Sequence, residues 1–411
     1  MTPEIKRRIE QIRRGEVPEG YKRSIDRIIP NDWYDYQLGD VGEVLMCKRV
    51  YANQTSEVGE IPFYKIGTFG KAADAFISRQ LYEDYRRKYS YPQKGDILIS
   101  AAGTLGKTVI YGGQEAYFQD SNIVWLKTDD RKLSNKYLIH YYQIINWPTP
   151  EGAAIQRLYN GIIREAHIVA PAVSEQQKIA AILTTQDKVI ELKEKRLAEK
   201  LRQKKYLMQQ LLTGRKRLPG YWGEWNFPKA KEIFQNVTDK NHKGDFMVLS
   251  ATQDKGIMPR NEVDIDIKYD VSSLANYKKV CQGNFVISLR SFQGGIEYSA
   301  YTGLVSPAYT VLSSKKELCD EYYKQYFKSA DFINRLNVAV YGIRDGKQIS
   351  FEDFGQLRIP YPPINEQTAI AQVLSTADRE ISLFRQDIEQ EKQKKKALMQ
   401  LLLTGIVRTT V

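Results

Sequence analysis

The sequence is poor in the residues on which catalysis and redox chemistry usually rest. It holds three cysteines and three histidines in 411 residues. Cys47, Cys281 and Cys319 are scattered and odd in number, which argues against a disulfide framework and for a reducing compartment. His140, His167 and His242 stand far apart with no thiol or carboxylate at ligand spacing, so no metal site is expected. No run of 18 apolar residues occurs and the N-terminal stretch is charged, so neither a membrane span nor a secretory signal is read and the cytoplasm is the expected location. Residues 101–108 approach a phosphate-loop pattern through Gly106, Lys107 and Thr108. A β-branched run then leads into Gly112 and Gly113, leaving no room for the helix that such a loop must open. Pro362 and Pro363 follow Tyr361, where a methyltransferase catalytic loop needs Asn or Asp. The expectation is a non-catalytic chain with no cofactor.

Positive charge is what the sequence has in excess. Sixty-one Lys and Arg against 49 Asp and Glu give a net charge of +12, a balance that favours nucleic-acid partners. With 42% hydrophobic residues the chain has material for two or three cored domains.

The organising stretch runs from Ser174 to Gly214 and reads as one long helix. Ser174 with Gln177 has the spacing of a capping box, Gly214 suits a left-handed C-terminal cap, and Pro219 prevents resumption. About 39 residues would span about 58 Å. The stretch recurs without a gap from Asn365 to Gly405 at a constant offset of 191, pairing Glu175 with Glu366, Leu183 with Leu374 and Asp187 with Asp378. This is an internal duplication. Along both copies a stripe recurs every seven residues: Leu183, Ile190, Leu197, Lys204 and Leu211, then Leu374, Ile381, Ile388, Lys395 and Leu402. A seven-residue stripe predicts a coiled-coil seam. Two amphipathic helices in separate cores would explain the stripe but not the charge-rich remainder of each surface. An antiparallel register brings Asp187 to Lys395 and Lys204 to Asp378, and these opposite charges are expected to fix orientation.

The pattern predicts an α+β chain. It divides into an N-terminal helical stub (1–20), a first strand-rich recognition domain (21–172), a central long helix (173–214), a second recognition domain (215–362) and a C-terminal long helix with its tail (363–411). The stub echoes the exit from the central helix, since Pro18, Gly20 and Tyr21 repeat the pattern of Pro219, Gly220 and Tyr221. The duplication is therefore circular, as suits a pseudo-two-fold molecule. The recognition segments resemble each other only loosely: a tryptophan near the start (Trp33, Trp225) and a strand after a glycine (95–100, 283–288). Each ends in a basic turn (159–164, 341–347), and Ser350 with Asp353 reads as a helix cap.

Taken together, these features resemble the specificity subunit of type I restriction-modification systems. The resemblance is carried by the paired long helices, each entered through a proline and a Glu-Gln pair (Pro171 with Glu175 and Gln176; Pro363 with Glu366 and Gln367). Each helix also closes on Leu-Leu-Thr-Gly at 211–214 and 402–405. It implies two target-recognition domains, each reading half of a bipartite site in double-stranded DNA, on an antiparallel coiled coil that sets the gap. It also implies two methyltransferase (modification) subunits docked on the helices. Restriction/translocase subunits complete the complex and, with the modification subunits, carry out N6-adenine methylation and ATP-dependent cleavage. The turn before the first long helix is shorter than that before the second, a departure from strict repetition. The open alternative is a coiled-coil adaptor that binds protein or RNA partners.

The residues expected to meet DNA are basic, amide and hydroxyl side chains placed on loops. In the first domain they are Lys65, Lys71, Arg79, Arg86, Arg87, Lys88, Tyr89, Thr104, Lys107, Arg157, Asn160 and Arg164. In the second they are Lys243, Gln253, Lys255, Arg260, Arg290, Gln293, Arg344, Lys347 and Gln348. Arg and Gln suit bidentate contacts to guanine and adenine edges, and Lys suits phosphates.

Overall fold

The computed structural model describes residues 2–25, 27–145, 147, 157–253, 255–263, 271–339 and 349–409. Its chain forms two compact units, residues 1–192 with 388–411 and residues 193–387. Both long helices are present, Val173–Leu211 and Ile364–Leu402, each of 39 residues, and each unit takes one end of each. No described helix is long and apolar enough to cross a membrane.

In the second unit the helices run antiparallel, with Lys193 on Asp387 (2.8 Å), Lys200 on Glu380 (2.7 Å) and Lys204 on Asp378 (2.5 Å). In the first unit Lys395 meets Asp187 at 2.6 Å, the other half of the expected register. Leu183 and Leu374 are fully buried, and Ile190, Ile381, Ile388, Leu211 and Leu402 nearly so. Each such side chain contributes about 1.5–3 kcal/mol by burial, so apolar packing supplies most of the attraction while the charged layers fix the register.

The helix ends depart from expectation at one place. Ser174 is not a cap: the helix begins one residue earlier, at Val173, and the amides of Glu175 and Gln176 bond to Ala172 O. The Glu-Gln pair has a different task. Gln176 is fully buried; its Oε1 accepts from Ser134 N (2.9 Å) and its Nε2 donates to Pro171 O (2.9 Å). Gln367 repeats this with Cys319 N (2.9 Å) and Pro362 O (2.8 Å). Glu366 accepts from Arg217 and from Trp225 Nε1, while Glu175 accepts from Arg408, whose other branch reaches Asp32 beside Trp33. Each tryptophan also closes over the glycine that ends a long helix. A Cβ on Gly214 (φ 72°) would lie 3.0 Å from Trp225, and one on Gly405 (φ 73°) would lie 2.5 Å from Pro30 and 3.4 Å from Trp33. The circular reading of the duplication thus takes physical form: the C-terminal tail seats on the start of the first unit, where Tyr21 and Arg8 also hold its carbonyls.

The two units share a topology that their sequences barely reveal. In the first, an antiparallel sheet runs Gly42–Met46, Ile123–Thr128, Ile97–Ser100, Thr108–Ile110; in the second, Phe234–Val237, Thr310–Ser314, Phe285–Ile287, Glu297–Tyr298. Chain order across both sheets is first, fourth, second, third. A tyrosine-rich helix, Asn135–Tyr141 or Asp320–Tyr326, links each sheet to the long helices through one continuous core. A smaller second core lies in each unit, around Phe63 and Tyr117 and around Leu249 and Val311. Ser350 caps helix Phe351–Gln356 through Asp353 N, as its spacing predicts.

Candidate nucleic-acid interface

In the first unit four loops converge at one end of the sheet. Ala101 N bonds Asn122 O (2.8 Å) and Leu158 N bonds Ala101 O (2.9 Å). Arg157 donates to Ser121 O (2.8 Å), Lys107 Nζ to Phe69 O (2.8 Å) and Ile66 N to Gln119 Oε1 (3.0 Å). Ser100 Oγ ties the 100–107 loop shut by accepting from Lys107 N and donating to Thr104 O. This framework gathers six of the expected residues: Lys65, Lys71, Thr104, Lys107, Arg157 and Asn160. Lys71, Thr104 and Asn160 are exposed, and their side chains have no partner among the described residues. Lys65 pairs with Asp74 (2.9 Å) where both are open to water, a contact of small worth that a phosphate can displace. Arg164 lies against Gly39 on the exposed side of its helix.

Arg79, Arg86, Arg87, Lys88 and Tyr89 form a different group. The first four are not loop residues; they lie on helix Arg79–Lys88, which follows its Ser78 cap. Asn160 and Arg164 are also helical, on Asn160–Glu165, Gln293 lies on Ser291–Gly294, and Arg260 opens a 3₁₀ turn. Local pattern missed these because each helix is short and polar on its outer face. Arg79 is held by Glu60 and Glu115, and its hydrogen bond keeps the Glu115 carboxyl below its ordinary range. Arg87 and Lys88 share Asp84, Arg86 stacks over Tyr82 and Tyr91, and Tyr89 carries Lys48 on its ring.

In the second unit, the hairpin Leu249–Thr252/Gly256–Pro259 meets the 288–295 loop. Gln253 Nε2 lies 3.4 Å from Gln293 Oε1. Lys328 binds Gln253 O (3.2 Å), Gly294 O (2.9 Å) and the buried Glu297. Gln253, Lys255, Arg290 and Gln293 project outward from this knot. Arg260 is half-buried against Ser250 Oγ (3.0 Å), and it and Arg290 both act electrostatically on Tyr309. Lys243 stands apart on the loop whose His242 binds Tyr277 O. Arg344, Lys347 and Gln348 lie outside the described residues.

Sequence reasoning missed Lys328 and Glu297, which no local signal marks. It also missed Ser121, the one non-glycine residue with positive φ among those described (57°). Asp120, Ser121 and Asn122 form a turn-type run that could have marked this tight corner.

Such an arrangement defines a class: a duplicated recognition protein whose exposed basic and amide side chains sit on loops and short helices around repeated sheets, built on paired long helices. The chain belongs to the type I restriction modification DNA specificity family, whose domain matches twice, at residues 30–202 and 224–393, and it is a specificity subunit rather than a catalytic one.

Over 147 residues the chain is 57% identical to a Haemophilus influenzae protein named as a type I restriction enzyme specificity subunit. That match covers 36% of this chain and 38% of the relative, well under two thirds of its length. It is 22% identical to the type I restriction enzyme MjaVIII specificity subunit of Methanocaldococcus jannaschii, across 95% of this chain and 96% of that one. Its fold is similar to the crystal structure of a type I restriction-modification S subunit from M. genitalium (TM-score 0.53, 13% identity, 95% and 99% of the chains). It is also similar to a chain from a solved structure concerned with type I R-M complex assembly (TM-score 0.60, 14% identity, 92% and 99%).

Proposed function

We propose that each unit reads one half of a bipartite DNA site, while the paired helices set the unread gap and carry two methyltransferase subunits, to which restriction/translocase subunits add. The observation that carries this reading is the contrast between what the duplication keeps and what it changes. The packing of Trp on Gly and the Gln and Arg–Glu contacts that anchor each unit to the helices recur, whereas the exposed side chains around the sheets are of different types, Lys71, Thr104 and Asn160 in one unit against Gln253, Arg290 and Gln293 in the other. A conserved socket with unlike readers suits one protein recognising two different words.

In the first unit, Thr104, Asn160 and Arg157 are the candidates for base edges, with Lys65, Lys71 and Lys107 on phosphates. In the second, Arg290, Gln253 and Gln293 take base edges, and Lys243 and Lys255 take phosphates. Phosphate contacts then supply most of the affinity and its salt dependence. Successive major-groove faces on one side of B-DNA lie about 34 Å apart, so two readers yield two short words with a gap.

Mapping methylated adenines in DNA from a host carrying this chain with its partner subunits tests the reading. The expected motif is two words around a fixed gap, with Thr104→Ala altering one word only. A single unbroken motif, or RNA as the preferred ligand, refutes it.

A further inference from the structure

Each unit touches the polar layer of the helix seam directly, and does so in a repeated way. In the second unit, Asp378 divides its two carboxylate oxygens. One accepts from Lys204 across the seam (2.5 Å), and the other accepts from Gln325 Nε2 (2.7 Å). Gln325 belongs to the tyrosine-rich helix Asp320–Tyr326, whose buried Tyr322, Tyr323 and Tyr326 form part of the unit's core. In the first unit the seam pair is Asp187 with Lys395, and Lys395 Nζ also donates to Gln143 Oε1 (2.9 Å), two residues beyond the equivalent helix Asn135–Tyr141. From that helix, buried His140 stands where Gln325 stands in the other unit. Its Nε2 lies 3.0 Å from Thr184 Oγ1 and its Nδ1 3.8 Å from Asp187.

We propose that these two polar joints fix the angle of each reading sheet on the helix pair, and that Gln325 in one, with His140 and Gln143 in the other, are positioning residues for the gap that the complex accepts. This rests on the split-site reading above. Apolar packing between each sheet unit and the helices is non-directional and tolerates a small rotation. A hydrogen bond at 2.7 Å holds in one orientation only. Space for such rotation exists, because Lys204, Gln325 and Asp378 border an open cavity of about 690 Å³. The amide therefore adds a directional restraint to the packing there. Base-pair steps rise about 3.4 Å, so a small change of tilt at the helix is enough to bring a reader over a neighbouring step.

The test is adenine-methylation mapping with the whole complex carrying Gln325→Ala or the pair His140→Ala/Gln143→Ala. The expected result is unchanged words with relaxed spacing. Sites one base pair longer or shorter should rise at least tenfold in methylation relative to the parent gap. The exchange Gln325→Glu/Asp378→Asn, which turns the bond round at unchanged length and keeps a carboxylate beside Lys204, should restore the single gap. Should Gln325→Ala fail to fold, Gln325→Asn shortens the reach by one methylene and is read in the same way. A variant that melts lower yet keeps one strict gap overturns the joint, as does one that folds normally and methylates nothing. An unbroken motif in the unsubstituted chain overturns both the joint and the split-site reading; a split motif with one gap in every variant overturns the joint alone.

Discussion

Glu366 carries a fully buried carboxylate that accepts three hydrogen bonds, from Arg217 Nε (2.5 Å), Arg217 Nη2 (2.6 Å) and Trp225 Nε1 (2.9 Å). Arg217→Ala leaves that charge with the indole N–H alone. Stranding one partner of a buried ion pair costs about 3–5 kcal/mol. Arg217 keeps 22% of its side chain in water, which places the loss at the lower end, about 3 kcal/mol. With a urea slope of about 2 kcal/mol/M, the midpoint should fall by about 1.5 M. Urea unfolding of the full chain, followed by tryptophan emission, measures it. Arg79→Ala is the comparison, because its partners Glu60 and Glu115 are open to solvent. Replacing both clamp residues, Arg217→Met with Glu366→Leu, should recover only part of the loss, because no charge is then left buried but Trp225 Nε1 loses its acceptor. A midpoint for Arg217→Ala no lower than that of Arg79→Ala refutes the reasoning.

Burial holds His140 below its ordinary 6.5, against the opposing pull of Asp187. The folded chain then takes up that proton less readily than the unfolded one, so the contribution to stability is complete above pH 6.5 and declines as pH falls below it. His140→Gln should flatten the difference in urea midpoint between pH 7.5 and 5.5; an unchanged difference rules this out. Gly405→Ala forces a Cβ into a left-handed position 2.5 Å from Pro30 and should cost about 2 kcal/mol or more, whereas Gly15→Ala, with only Arg23 at 4.0 Å, should cost about 1 kcal/mol; equal melting shifts would contradict this. Lys71→Ala should weaken DNA binding by the complex across all sequences and lower the salt slope by about one, and an unchanged slope in a salt-titrated binding assay would contradict this.

What the sequence made legible was one-dimensional. The seven-residue stripe, the glycines closing each long helix and the opposed seam charges are periodic features, and Asp187–Lys395 and Lys204–Asp378 meet as that period requires. The Glu-Gln pair was visible as a repeated signature but not as a device, since Glu366 meets an arginine 149 residues earlier in the chain. Ser174 misled because a capping pattern one residue inside the helix looks like one at its start. Arg79 looked as unpaired as Lys71, yet Glu115, 36 residues further on, pairs with it. Non-local pairing of this kind, like the shared strand order of the two sheets, leaves no trace in local spacing.

The repeated sockets have a consequence for exchange. A reading segment brings its own tryptophan and meets a glutamate, a glutamine and an arginine that stand ready in either position. A segment moved from one position to the other would therefore meet the same kinds of contact without redesign of the scaffold that receives it. On the split-site reading, such a graft would change one word of the site and leave the spacing as it was.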